Sequence, residues 1–159
     1  MNKAHPKKNP SGPILALDLG QKRIGVAVSD ELLISITRLN PLPRSSWKRL
    51  LRDVCALILR FDAQTLVIGL PLSLNGTSGS AALDVRRMAE KFALSLQIPV
   101  FLEDERLTSA EAEQHLRAEG HKPREISALV DSESAAIILR DFIAAGQERI
   151  LVGLNSADF

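Results

Sequence analysis

Asp18 constrains this chain more than any other residue. It stands in the run Ile14-Leu-Ala-Leu-Asp-Leu19, which is otherwise wholly apolar and ends at Gly20. Such a run fits a buried strand. A lone carboxylate there costs several kcal/mol unless it is paired or bound to a cation. Gly20 puts Asp18 at the exit of the strand, where a ligand has access; a turn-forming aspartate fits the same position.

The remaining pattern describes a single domain. The 159 residues suit one core, and 45% apolar with 25% charged residues marks a globular chain. The net charge of +1 does not announce a nucleic-acid binder, so any basic surface has to be local. The one cysteine, Cys55, forms no internal disulfide and reads as a small packed hydrophobe. No apolar run approaches the roughly 20 residues of a membrane span. The basic start, Met1 to Pro13, has no apolar segment behind it as a secretory signal would. These features point to the cytoplasm and exclude a membrane-spanning role. The expected organisation is a flexible basic tail over residues 1–13, one domain over 14–146 and a tail over 147–159.

After the Gln21–Arg23 turn, Ile24 to Ser29 resumes a strand, and Leu32 to Thr37 predicts a third. The short connections between them predict an antiparallel meander. The period then changes: Trp47, Leu50, Leu51, Val54, Leu57, Ile58 and Phe61 follow helical spacing, with Lys48, Arg49 and Arg52 on the other face. Thr65 to Leu70 is a buried strand stopped by Pro71. Val85, Met88, Ala89, Phe92 and Leu96 mark a second helix, and Val100 to Leu102 a further strand. Thr108-Ser-Ala-Glu111 is a capping-box pattern that opens a third helix ending near Gly120. A loop from His121 to Val130 and a last helix from Ser132 complete the order, which predicts a five-stranded mixed sheet flanked by helices.

Two further acidic features stand at the ends of elements. Glu103-Asp104-Glu105 closes a strand, with Glu103 and Glu105 on one face and Asp104 on the other; alternation does not choose between Asp104 and Glu105. Asp131 directly precedes the expected last helix, an ordinary place for an acid. Two carboxylates about 4 Å apart repel by roughly 4 kcal/mol at an effective dielectric of about 20. A gathered set needs protons or cations. Hard oxygen ligands without histidine or cysteine suit Mg²⁺ or Mn²⁺. Two such ions, roughly 3.5–4 Å apart, suit phosphodiester cleavage.

Four blocks then carry a resemblance. Asp18-Leu-Gly-Gln-Lys-Arg-Ile-Gly25-Val-Ala-Val-Ser-Asp30 resembles the opening of the YqgF family of pre-16S ribosomal RNA nucleases and Holliday-junction resolvase relatives. Val67-Ile-Gly-Leu-Pro71-Leu-Ser-Leu-Asn-Gly-Thr77, Asp104-Glu-Arg-Leu-Thr-Ser109 and Val130-Asp-Ser-Glu-Ser-Ala-Ala136 follow in the family order. The resemblance implies an α/β, ribonuclease H-like fold and a metal-dependent nuclease that trims the 5′ end of the small-subunit ribosomal RNA precursor. It implies divalent metal on Asp18, Glu105 and Asp131.

Around that site, Lys22 and Arg23 follow Asp18 and are candidates for phosphate contact, as is Arg106, which equally fits a structural ion pair. Asn75 and Thr77 precede a helix whose N-terminus attracts phosphate, although a plain Asn-Gly turn fits them too. The expected partner is structured pre-16S RNA, read by shape because aromatic residues are few and tyrosine is absent. A ribosomal particle is a further candidate partner, and the expected assembly is a monomer or dimer. The rival readings are a DNA-junction resolvase with the same acids and a non-catalytic nucleic-acid-binding module. Asp18-Leu-Gly with Gly25 also resembles the phosphate loop of actin-like phosphotransferases, but the chain is too short for their two lobes.

Overall fold

A computed structural model describes residues 10–71, 79–105, 108–145 and 149–153. Three strands open the fold: β1 (Ile14–Leu19), β2 (Arg23–Ser29) and β3 (Ile36–Pro43). They are followed by α1 (Trp47–Phe61), β4 (Thr65–Pro71), α2 (Ser80–Ser95), β5 (Val100–Glu105), α3 (Thr108–Ala118), α4 (Pro123–Ala144) and β6 (Ile150–Leu151). The sheet order is β3-β2-β1-β4-β5-β6. The first three strands are antiparallel, β1, β4 and β5 run parallel, and β6 returns antiparallel. Among the described residues the sheet therefore has six strands, not five; the extra one is the two-residue pairing of Ile150 and Leu151 with Leu102 and Phe101.

Strand alternation sorts the apolar residues into two cores. Leu15, Leu17, Leu66, Ile68 and Leu102 point to one side, where Leu50 and Val54 of α1 and Val85, Ala89 and Phe92 of α2 cover them. Ile14, Ala16, Val67 and Phe101 point to the other, beneath Ala135, Ile138, Leu139 and Phe142 of α4. A strand buried on both faces reads as one continuous apolar run, as β1 and β4 do. The same alternation puts Asp18 on the α4 side.

Two boundaries differ from expectation. The third strand begins at Ile36, because the Asp30 carboxylate accepts from the backbone N–H of Ile34 and Ser35, at 2.7 and 3.1 Å, and holds 30–35 as a turn. Leu32 and Ile34, whose apolar character suggested a strand, are mostly exposed on that turn. The last helix begins at Pro123, eight residues' worth of chain before Asp131, so the expected His121–Val130 loop is helical for most of its length. Pro123 sits in the first turn, and the Glu125 carboxylate accepts from the Lys122 N–H at 3.3 Å, a helix-start pattern. Before it, Gly120 with φ +87 ends the α3 segment, and the His121 N–H returns to the Leu116 carbonyl. The side chain of Thr108, and with it the expected capping box, lies outside the described residues.

Helix α4 seats closely on β2. A side chain at Gly25 would collide with the backbone carbonyl of Asp131. Beside that contact the β2–β3 register shifts between Ile24 and Val26. Ser132 spans the irregularity: its Oγ donates to the Leu39 carbonyl and accepts from the Val26 N–H at 3.5 Å. Further along, buried Glu133 accepts from Arg38 at 2.8 Å and lies 3.1 Å from His115, tying α4 to β3 and α3.

Gly25→Ala is expected to lower unfolding free energy by about 3 kcal/mol or more, since backbone rather than a flexible side chain must move. Gly79→Ala, with nothing within 4 Å of the added methyl, is expected to cost under about 1 kcal/mol. Denaturant melts of the two variants check this.

Candidate functional site

Three elements bring acids to the carboxyl ends of the parallel strands, where α/β sheets commonly bind ligands. Asp18 is the fifth residue of β1 and pairs with Gly25 of β2. Glu105 closes β5, opposite Pro71 of β4. Asp131 comes from the third turn of α4 and not from a helix N-terminus, so neither the helix dipole nor free N–H groups account for it. Alternation along β5 leaves Asp104 exposed and turns Glu105 toward α4. The open choice between the two is thereby resolved in geometry: Glu105 joins Asp18, and Asp104 does not.

The glycines of the site make the gathering possible. Gly69 of β4 lies on the α4 face, and a methyl there would stand 2.7 Å from Glu105 Oε2 and against the Ile138 side chain. The Glu105 carboxylate thus occupies space over β4 that any other residue would fill. Neither glycine was singled out for this role in the sequence, although each falls at an alternate position of an apolar strand, where a missing side chain marks a close approach.

The electrostatics follow from confinement. Asp18 is pushed up from its ordinary 3.8 to about 8, first by burial, then by repulsion from Glu105, by a hydrogen bond with Glu105, and by repulsion from Asp131. Burial and the neighbouring Glu105 thus hold Asp18 in its protonated form at neutral pH. Asp131 is held differently. Its Oδ2 lies 3.0 Å from Arg23 Nε, yet the N–H is not directed at it, and this buried oxygen has no hydrogen bond. Glu103, on the same face as Glu105, is pushed up to about 7 by burial and by Asp141 and Asp104, against the pull of Arg149.

A buried Asp131 oxygen without a hydrogen bond stands beside Asp18, whose carboxyl is held protonated at neutral pH, and with Glu105 they form one donor set. Its all-oxygen chemistry fits a hard divalent cation. Among the described residues no three Asp, Glu, His or Cys side chains already stand as a closed cage.

The remaining candidates and other basic side chains divide. Lys22 is exposed in the turn after Asp18, and its carbonyl accepts from the Arg44 N–H at 3.0 Å. Arg23 meets Asp131. Arg44, unremarked as a site residue in the sequence, is fixed at the same end by donating to the Gly20 carbonyl at 2.8 Å. Lys48, Arg49 and Arg52 are exposed on α1. His121 is held between Glu125 and Glu119, at 2.9 and 3.2 Å. Arg106, Asn75 and Thr77 lie outside the described residues.

Asp18 binds its proton more tightly folded than unfolded, so without metal the fold loses stability as pH rises from near 3.8 through about 8. In chelator, the melting temperature is expected to fall between about pH 5 and pH 8.5, and Asp18→Asn to remove most of that slope. At about pH 8 the variant is expected to melt roughly 5 °C above wild type. Thermal melts across pH check both.

Comparison with known proteins agrees with this architecture. A family model, RuvX, described as Holliday junction resolvase, matches residues 12–145. A protein of Syntrophus aciditrophicus named "Putative pre-16S rRNA nuclease" is 41% identical over 138 residues, covering 86% of this chain and 92% of the relative. A protein of Synechococcus elongatus with the same name is 37% identical over 134 residues, covering 84% and 90%. Among solved structures, Thermus thermophilus RuvC in complex with a Holliday junction superposes with a TM-score of 0.54 at 15% identity, covering 87% of this chain and 98% of that one. The Fowlpox virus resolvase in complex with Holliday junction DNA follows at 0.50 and 14%, covering 83% and 97%. The resolvase likeness shows the ribonuclease H-like fold. The family match and the curated relatives go further: this chain belongs to the RuvX family, the YqgF family its four sequence blocks resemble.

Proposed function

We propose that the chain is a metal-dependent endonuclease that trims the 5′ end of the small-subunit ribosomal RNA precursor in the cytoplasm, with Asp18, Glu105 and Asp131 as ligands of Mg²⁺ or Mn²⁺. One observation carries the reading: acids from β1, β5 and α4 meet on one face of the sheet, where burial and Glu105 push Asp18 up and a buried oxygen of Asp131 lacks a hydrogen bond. Membership of a nuclease family supports hydrolysis of phosphodiester bonds as the reaction, and the names of the curated relatives favour ribosomal RNA. No helix among the described residues is long and apolar enough to cross a membrane.

Bound at these acids, a divalent ion supplies Lewis acidity and neutralises charge at the phosphodiester. The chain's own residues supply position. Asp18 is fixed by the β1–β2 ladder, Asp131 by the seat of α4 on Gly25, and Glu105 by the space over Gly69. Lys22 and Arg44 flank the entrance from the turn side and offer positive charge to phosphates without reading sequence.

The family description favours a second reading, in which the same acids cut a DNA four-way junction. A labelled pre-16S leader fragment and a four-way junction, each with Mg²⁺, Mn²⁺ or chelator, separate the two. Metal-dependent cleavage of the RNA alone is expected, reduced about a hundredfold or more in Asp18→Asn, Glu105→Gln and Asp131→Asn. Cleavage of the junction alone would move the substrate to DNA and keep the site. Cleavage of neither would favour a binding module. Gly69→Ala is expected to lower cleavage at least about tenfold by displacing Glu105, with only a small loss of melting temperature because the crowded atoms are side-chain ends.

A further inference from the structure

We infer that Arg23 is a built-in stand-in for the divalent ion at Asp131: the ion has to displace it, and its displacement releases a guanidinium toward the substrate phosphate. The inference rests on reading Asp18, Glu105 and Asp131 as a metal centre.

Arg23 opens β2 two residues before Gly25, so its stem lies on the α4 face. The guanidinium lies along one turn of that helix. Its Nη2 donates to the Ser127 carbonyl at 3.3 Å, and its Nε stands 3.0 Å from Asp131 Oδ2. Among the described residues this is the only ion pair Asp131 makes. The contact is electrostatic without being directional, because Oδ2 is out of reach of solvent and still has no hydrogen bond. An incoming cation therefore meets an oxygen already stripped of water.

A structural clamp between β2 and α4 is the competing explanation, and the fold makes it redundant. Gly25 and Ser132 already fix α4 at this point, Ser132 through the Leu39 carbonyl and the Val26 N–H. The Arg23 side chain is also 50% exposed. Its head can return to water cheaply, since pairs at such exposure are worth about 1 kcal/mol or less. Asp131 is less exposed, at 26%, and its Oδ2 is buried. Arg23 thus balances the charge of Asp131 and leaves it when another cation arrives. Because it starts the strand that follows the Asp18 turn, the freed head stays at the mouth of the site.

The experiment titrates Mn²⁺ calorimetrically into chelator-treated wild type, Arg23→Gln and Asp131→Asn, each checked for folding by circular dichroism. Arg23→Gln is expected to bind Mn²⁺ about three- to tenfold more tightly than wild type, because no ion pair has to be broken. It is also expected to melt lower without metal, to gain more on saturation, and to raise KM for RNA. Equal or weaker binding by Arg23→Gln, with wild type binding normally, would overturn the inference alone. Wild type binding no better than Asp131→Asn would instead remove the metal centre, and the inference with it. A second measurement needs only wild type to fold. The Arg23 side-chain Nε–H resonance, identified by its loss in Arg23→Lys, is expected to move to the position of a solvated arginine on saturation with Mg²⁺. A resonance that stays in place would contradict displacement.

Discussion

Helix α4 can lie against β2 because position 25 has no side chain, and the whole carboxyl end of the sheet is built on that contact. The Asp131 carbonyl occupies the space a methyl would need. With the helix backbone that close, the Asp131 side chain has to share its surroundings with Asp18, the neighbour across the β1–β2 ladder. Small residues extend the close packing along the same face: Ala16, Ala27 and Ala135 lie in the core beneath the helix, and Gly69 leaves room for Glu105. A bulkier set at these positions would fill the core equally well and hold the acids apart. The apolar packing of this face is thus chosen for proximity as much as for burial.

Proximity of like charges opposes folding, and the fold answers it in three ways. Asp18 holds its proton beside Glu105, a guanidinium stands beside Asp131, and the neighbouring buried Glu133 is matched by Arg38 and His115. The third arrangement is saturated with partners and serves to join β3, α3 and α4. The first two are incomplete: one oxygen lacks a hydrogen bond, and one acid is neutral where it would ordinarily be charged. Structural ion clusters are satisfied, whereas sites that receive a ligand keep unmet demand. That contrast, within one helix and two residues apart, distinguishes the candidate site from its surroundings.

Much of this was legible in the residues. The continuous apolar runs of β1 and β4 announced strands buried on both faces, and the apolar setting of Asp18 marked it as an acid in need of a partner. The helical period of α1 and α2 stood out because each presents a polar face to water. Helix α4 was harder. Sandwiched between the sheet and α3, it buries Ser132, Glu133 and Ser134 together with Ile137, Ile138 and Leu139. Its first two turns bury only Ile126 and so show no apolar stripe, and Pro123 with Glu125 was the local sign of its start. The turn at 30–35 misled for the opposite reason, since Leu32 and Ile34 are apolar but face solvent. Grouping of the acids depended on strand order and on two glycines, and neither is encoded in local periodicity.

The two margins of the sheet have a consequence for how the molecule behaves in a crowded solution. A long, flat outer strand exposes a row of unpaired N–H and C=O groups that can recruit another chain and seed aggregation. Here β3 carries Pro41 and Pro43, which have no N–H to donate, and its pairing with β2 is irregular. At the opposite margin β6 is two residues long. Among the described residues, neither margin offers a template long enough to extend. A nuclease that must keep a charged, partly unsatisfied cluster near its surface can thereby remain dispersed without relying on net charge, which at +1 would give little colloidal repulsion.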